Sequence, residues 1–457
     1  MAEKKAFRKS KTFYVLSAIL LILCVAGFLF WRSYKYKLVN KKLDSLVTVK
    51  SKGLYQLNYI NLVINEELGN LSAENVEMIP DSQVYQNMID LKTAPKNLFF
   101  IRIPKLTITG VITPKALLSK EISAHIIRIE NANIEIRLSS EKKETQPGLT
   151  SGMRSDLYQA ILGKLKSIKA DSIVLDNADV TLSDRKSKRA SLITKGLSIR
   201  FSGVLIDSAH QNDSSRILFS DKLAIHCNQI ELPFKDRFYT LHVEGFDFDT
   251  HTERLQTDKI ILKPLLSESD FARAHKFAVD RLDIRINRLD IQHLDTHALL
   301  LGQLVADSIQ IFQASIRDFR DKSYPHDSVD RTDKYPHEVI MKLPFSVYAS
   351  KVILRDSYIE YKEKNDKSDS SGKVTFFHVQ ASFDNVTNMI ARIRTNNQMR
   401  LNFNASFLNE TPFAANIRMK LNDKNGAFQL DAKMGELNAV SLNPLIRPMA
   451  LAEVEKG

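Results

Sequence analysis

The sequence predicts a mainly β protein with one long, curved antiparallel sheet, few short helices, and one transmembrane helix in front of it. Three observations carry this prediction: period-two alternation of apolar residues, a bulge-like motif that recurs four times, and an uncharged run near the N-terminus. The 457 residues are 44% hydrophobic and 26% charged, an ordinary globular balance that excludes wholesale disorder. With 15 Gly and 13 Pro the chain is neither collagen-like nor low in complexity. Two cysteines, Cys24 and Cys227, exclude a disulfide framework and a Cys-rich zinc site.

The uncharged run comes first along the chain. Phe13 to Trp31 reads FYVLSAILLILCVAGFLFW, and as a helix of about 1.5 Å per residue it would match a bilayer core of roughly 30 Å. Tyr14 and Trp31 stand at its ends, where amphipathic rings favour the interface. A cleaved signal peptide is the alternative, but no small-residue cleavage site follows, and bulky Phe28 to Trp31 leads straight into Arg32. The chain carries a formal charge of +12, yet its first 42 residues hold ten basic groups and one acid, Glu3. A nucleic-acid binder needs its positive charge on the folded domain. Here it flanks a membrane span, so nucleic acid is not an expected partner. The expected order is a cytoplasmic N-terminus (1–12), a transmembrane helix (13–31), a juxtamembrane linker (32–50) and a body (51–457) on the far side of the membrane, since long domains translocate largely regardless of charge.

Within the body, IRIPKLTI (from Ile101) and RLDIRINRLDI (from Arg281) alternate apolar and polar residues, as half-buried strands do. IIRIENANIEI (from Ile126), SIVLDNADVTL (from Ser172), SIQIFQASIRD (from Ser308) and KVILRDSYIEY (from Lys351) share a further pattern. Its anchoring pairs are Ile129 with Ile134, Leu175 with Val180, Ile311 with Ile316, and Leu354 with Ile359. An odd spacing switches faces in a regular strand. A β-bulge at the small residue (Ala132, Ala178, Ala314, Ser357) would restore the phase and bend the strand, and a tight turn there is the alternative. The spacing suggests a loose repeat, with LAIHCNQIEL and RLDIRINRLDI as degenerate copies. The polar stretches DRKSKRA and EKNDKSDSSG read as hairpin connections. Helices are expected over Arg154–Ala170, Asp270–Val279 and Ala298–Ala306.

Catalytic signatures reduce to near misses. GLSIR (from Gly196) lacks the second Gly of a nucleophile elbow, and Gly163-Lys164 and Gly372-Lys373 lack the rest of a phosphate loop. His293 and His297 would share a metal only on a helix, and the residues before them read as a strand. Asp318, Asp321 and Asp327 are interleaved with Arg317, Arg320 and Lys322, which reads as a local ion-pair network rather than a calcium site. Neither an enzyme, a metal nor a cofactor is expected.

Several segments resemble the AsmA-like proteins of the Gram-negative envelope: LYQLNYINLVINEELGNLSAENVEMIPD (from Leu54), KADSIVLDNADVTLSD (from Lys169), RDFRDKSYP (from Arg317), FSVYASKVILRDSYIEYKEK (from Phe345) and LNPLIRP (from Leu442). The resemblance implies an elongated, curved antiparallel repeating β-groove whose apolar interior holds acyl chains. It also implies a single-pass inner-membrane protein with a periplasmic body, serving lipid transport or outer membrane biogenesis. Ile129, Ile134, Leu175, Val180, Ile311, Ile316, Leu354 and Ile359 are then the candidate groove-lining residues, with phospholipid or another acyl-chain lipid as partner. About 20 strands at roughly 4.8 Å would make a groove of about 95 Å, too long for the few helices to cover. In related chains further strands follow the LNPLIRP segment, so a truncated C-terminal end or an open sheet edge is expected. The alternative function is a structural or assembly factor that binds other envelope proteins.

Overall fold

The computed structural model describes residues 51–456, apart from 66, 112–120, 140–157, 159–164, 212, 214, 326–335 and 424–425. The uncharged run Phe13–Trp31, its flanks, Asp327 and most of the expected Arg154–Ala170 helix therefore lie outside the described residues. Among the described residues no helix is long and apolar enough to cross a membrane. The protein is mainly β with a few short helices, and its contacts divide it into two units.

Unit 1 contains β1 (Tyr55–Asn65), β2 (Asn70–Pro80), α1 (Ser82–Asp90), β3 (Leu98–Thr109), β4 (Glu121–Glu130), β5 (Asn133–Leu138), β6 (Ser167–Asp184), β7 (Ala190–Asp207) and most of β8 (Lys222–Pro233). β1, β2 and β3 follow one another as antiparallel neighbours. β3 then pairs with both β4 and β5, which lie end to end beside it. Both run parallel to β6, and β6 turns back into β7 through the predicted DRKSKRA hairpin. The sheet is mixed, so the antiparallel expectation is corrected: alternation reports which face a residue takes and says nothing about the direction of the neighbouring strand. Strands lying end to end also make the strand count exceed the number of ladder steps. The C-terminal end of the expected Arg154–Ala170 helix is corrected too, because Ile168 and Ala170 sit in β6 opposite Ile122 and Ala124.

Unit 2 contains the first part of β9 (Tyr239–Asp249), then β10 (Arg254–Thr257), β11 (Lys259–Pro264), α2 (Glu268–His275), β12 (Asp280–Ile286), β13 (Arg288–Gln292), most of α3 (Thr296–Leu300), β14 (Gln303–Phe312), β15 (Ser315–Asp321), α4 (Pro336–Met341), β16 (Ser346–Lys364), β17 (Ser371–Thr387), α5 (Ile390–Thr395), β18 (Gln398–Phe407), β19 (Thr411–Lys420), β20 (Phe428–Met434) and α6 (Asn443–Ala450). β11 pairs with β9 and β12; β12 and β13 pair with β15 and β14; these run parallel to β16; and β17 to β20 follow as an antiparallel meander. The helix expected over Asp270–Val279 is present in shortened form, whereas of Ala298–Ala306 only the first three residues are helical and Gln303–Ala306 belong to β14, which corrects that expectation. Ser267 caps α2 by accepting from the Asp270 N–H at 3.2 Å, and Lys276 ends it in the left-handed conformation. α3 stops at Leu300 because Gln303 onward joins the sheet.

Unit 2 repeats unit 1. In unit 1, β1 starts at Tyr55, β2 ends at Pro80, and a helix separates β2 from the strand carrying Ile101-Arg102-Ile103. Unit 2 has Tyr239, Pro264, a helix and Ile284-Arg285-Ile286 in the same order. RLDIRINRLDI is thus the counterpart of the strand containing IRIPKLTI, and the reading of it as a degenerate copy of the bulge motif is corrected. The four motif copies form two neighbouring pairs: β4 and β5 beside β6, and β14 and β15 beside β16.

The same left-handed kink is present in all four copies; in β6 and β16 it falls at a register shift against the next strand, and in the other two it separates β4 from β5 and β14 from β15. The residue before each small one, Asn131, Asn177, Gln313 and Asp356, takes a left-handed backbone (φ between 46° and 56°). The small residues Ala132, Ala178, Ala314 and Ser357 are all buried. The ladder continues through the irregularity: the Asn131 N–H donates to Asp176 O and the Asp179 N–H to Ala132 O, each at 2.8 Å. Unit 2 has the same bonds from Gln313 to Arg355 and from Tyr358 to Ala314, at 2.8 and 2.7 Å. The left-handed residue returns the apolar set to its original face, so Ile129 and Ile134 are buried together.

Candidate functional site

In unit 1 the candidate residues form a block, with Ile129 opposite Leu175 and Ile134 opposite Val180. Around them runs one row across the ladder, Leu57, Met78, Ile101, Ile134 and Val180, each directly opposite the next. Every member is buried; Ile134 is 1% exposed and Val180 0%. These four candidates belong to a filled core and do not line an open surface.

In unit 2 the same registers recur, Ile311 opposite Leu354 and Ile316 opposite Ile359. The corresponding row reads Leu241, Leu262, Ile284, Ile316, Ile359 and Phe376. All six are only partly buried. Leu354, Ile359 and Phe376 pack against a cluster of Val379, Ala381, Ile393, Met399, Leu401, Met419 and Leu421. Beyond Phe376 the apolar surface continues through Phe403 and Phe413, whose rings contact it edge-on or tilted at 5.6 Å between centroids. The candidate surface is therefore the apolar face of unit 2.

The next two ladder steps on this face change character. Leu282 is opposite Asp318 and Asp318 opposite Tyr361. After them come Asp280, Arg320 and Glu363, again directly opposite one another, and then Gly372. Arg320 Nη2 pairs with Asp280 Oδ1. Lys322 Nζ lies 2.7 Å from Glu363 Oε2, and the Tyr361 hydroxyl donates to that same oxygen at 2.5 Å. Asp318 Oδ1 and Arg320 Nε are buried without a hydrogen-bond partner. Burial, reinforced by the charge of Asp280, pushes the Asp318 carboxyl up to about 6. Burial raises the Tyr361 phenol as well, helped by its bond to Glu363.

This corrects the reading of Asp318 and Asp321 with their basic neighbours as a local network; Asp327, the third carboxylate of that reading, lies outside the described residues. Arg317 takes the opposite face, with its guanidinium 5.9 Å from the centre of the Tyr358 ring. Asp321 Oδ1 accepts from the Ser323 hydroxyl at 2.5 Å. The partners of Arg320 and Lys322 come from β12 and β16. The sequence did hold a signal: continuing the alternation past Ile316 and Ile359 lands on Asp318 and Arg320, and on Tyr361 and Glu363.

α6, formed by the NPLIRP segment, closes the polar end. A Cβ on Gly372 would stand 2.6 Å from Met449 Cγ and 3.2 Å from Leu445 O, so any side chain here would have to displace Met449. Asn365 Nδ2 donates to Pro448 O at 3.3 Å. This close packing is what Gly372 does in the fold.

The other chemistry-bearing residues are dispersed. His293 has a left-handed backbone before α3, with Nδ1 3.3 Å from Asp307, whereas His297 lies within α3. Gly196 lies inside β7. Cys227 is a buried strand residue of β8, its thiol pushed up by burial. Among the described residues no three potential ligands gather around a metal position. No protein-family model matches the chain, and the comparison with characterised proteins yields no significant match.

Proposed function

We propose that this protein is a membrane-anchored, non-catalytic lipid-binding protein of AsmA-like type. In this reading Phe13–Trp31 anchors it in the cell inner membrane and the β body works in the periplasm, in phospholipid transport or outer-membrane biogenesis. The observation that carries the reading is the row Leu241, Leu262, Ile284, Ile316, Ile359 and Phe376, an apolar surface six strands wide that the chain leaves partly exposed. Apolar surface of this kind is stabilised by a ligand or partner that removes it from water, at roughly 25 cal/mol per Å². An elongated groove and its curvature belong to the same proposal. The test is mass spectrometry of lipids that accompany the detergent-extracted full chain. Stoichiometric acyl lipid is expected, and its absence from a folded preparation sinks the reading.

A second reading, an envelope assembly factor, rests on β20. All seven of its residues are exposed, and Phe428, Leu430 and Met434 share one of its faces. An exposed apolar strand is a ready template for pairing with another chain. Crosslinking through positions in β20 that captures one defined envelope protein, together with lipid-free protein, would favour it.

A further inference from the structure

The polar end of the unit 2 face differs from its counterpart in unit 1. The register places Ile136 and Leu182 of unit 1 where unit 2 has Asp318 and Tyr361, and Leu138 where it has Arg320. Ile136 and Leu182 are fully buried. The fold is thus satisfied by hydrocarbon at these positions, and the charged residues of unit 2 are not required to build it.

The charges also leave a gap. Of the three carboxylates facing this end, Asp280 has Arg320 and Glu363 has Lys322. Asp318 forms no ion pair among the described residues, and its Oδ1 is buried without a donor. A buried carboxylate in this state is costly unless it is protonated or paired. Next to it, one ladder step away, begins the partly exposed apolar row through Ile284, Ile316 and Ile359. The juxtaposition suits a molecule with a cationic head and an apolar tail. An anionic head would meet three carboxylates whose two cations are already engaged.

We propose that Asp318 is the head-group acceptor for an ammonium-bearing amphiphile, whose head lies between Asp318 and Tyr361 and whose tail runs along Ile316 and Ile359. This proposal rests on the lipid-binding reading and adds the head chemistry and the orientation. The ammonium donates to the Asp318 carboxylate and supplies the counter-charge that no ion pair provides. α6 over Gly372 closes the far end, so the tail has only the apolar row to follow.

The experiment uses the detergent-solubilised full chain and three fluorescent probes with the same acyl chain, bearing a primary ammonium, a hydroxyl or a carboxylate head. The wild type is expected to bind the ammonium probe about tenfold more tightly than the carboxylate probe, the scale of one charge-assisted hydrogen bond. Asp318→Asn should bring the two within about twofold and leave the hydroxyl probe unaffected. The wild type at pH 5, below the raised Asp318 value, should also lose its preference for the ammonium over the hydroxyl probe, neither of which titrates there, and this tests the idea even if the variant fails to fold. Equal binding of all three probes by the wild type, or a preference that survives in Asp318→Asn, overturns the head-group assignment and leaves the lipid reading standing. Failure of every probe to bind overturns both.

Discussion

The phenol oxygen of Tyr55 accepts a hydrogen bond from the backbone N–H of Phe99 at 3.0 Å. β2 ends at Pro80, opposite Tyr55, and the chain then turns into α1, so Tyr55 reaches past the strand end to satisfy a donor the ladder has left open. Unit 2 repeats the device: the Tyr239 hydroxyl accepts from the Leu282 N–H at 3.0 Å, beside the strand ending at Pro264. Removing the acceptor by Tyr55→Phe should cost about 1–2 kcal/mol and speed hydrogen exchange at the Phe99 amide. Unchanged exchange there would show that the bond does not protect that amide.

The same phenol makes a pH prediction. Burial raises Tyr55 to about 12, so folding favours its neutral form. That contribution is complete below pH of about 10, the ordinary tyrosine value, and is lost as pH rises through about 12. Phenolate absorbance of wild type minus Tyr55→Phe should place this titration well above that of exposed tyrosines. A difference curve centred near pH 10 would contradict the burial.

Asp318 gives a second pH effect with the same sign and the same leading cause, burial, reinforced here by the charge of Asp280. Its folded value of about 6 lies above the ordinary carboxyl range, so its ionisation opposes folding. Stability from this group is present below pH of about 4 and is lost as pH rises through about 6. Asp318→Asn should match the wild type in melting temperature at the acid end and exceed it at neutral pH. A constant difference at every pH would show that the carboxyl does not titrate across this range.

The contrast between the two rows is measurable by truncation. Ile134→Ala empties a buried site and should cost about 2–5 kcal/mol in urea unfolding. Ile316→Ala, at the matching position of a partly exposed row, should cost less than half as much. Equal costs would mean that unit 2 is as filled as unit 1.

The bulge predicts an ordered substitution series at Asn177, whose side chain donates to Asn131 Oδ1 of the neighbouring copy at 2.7 Å. Its φ of 52° is tolerated by Asn and Gly and disfavoured for β-branched residues. Asn177→Val should cost about 1–2 kcal/mol, and Asn177→Gly well under half of that. Denaturation that ranks Gly as the worse replacement would assign the position's importance to the side-chain bond instead of the backbone.

Period two, the four bulge motifs and both polar hairpin connections were legible because each is a local demand of the chain: which side a residue faces, and where one extra residue must be absorbed. The repeating unit is larger than the single motif. The motif copies resemble each other more than their neighbours do, while the true duplication pairs strands as different in detail as the one containing IRIPKLTI and RLDIRINRLDI. Ile168 looked helical because an apolar residue every third or fourth position also arises by chance where a strand begins.

By itself the sequence determined the β class, the bulges and the set of apolar residues that share a face, since covalent geometry and alternation settle these within a few residues. Only the tertiary structure decided that the motif copies lie parallel in pairs, that Ile134 is sealed while Ile316 is partly open, and that Asp318 lacks the cation its sequence neighbours suggested. The physical reason is common to all three. Strand direction, burial and ion pairing depend on what stands opposite, and for Asp318 the groups that stand opposite are Leu282 and Tyr361, from strands distant in the chain.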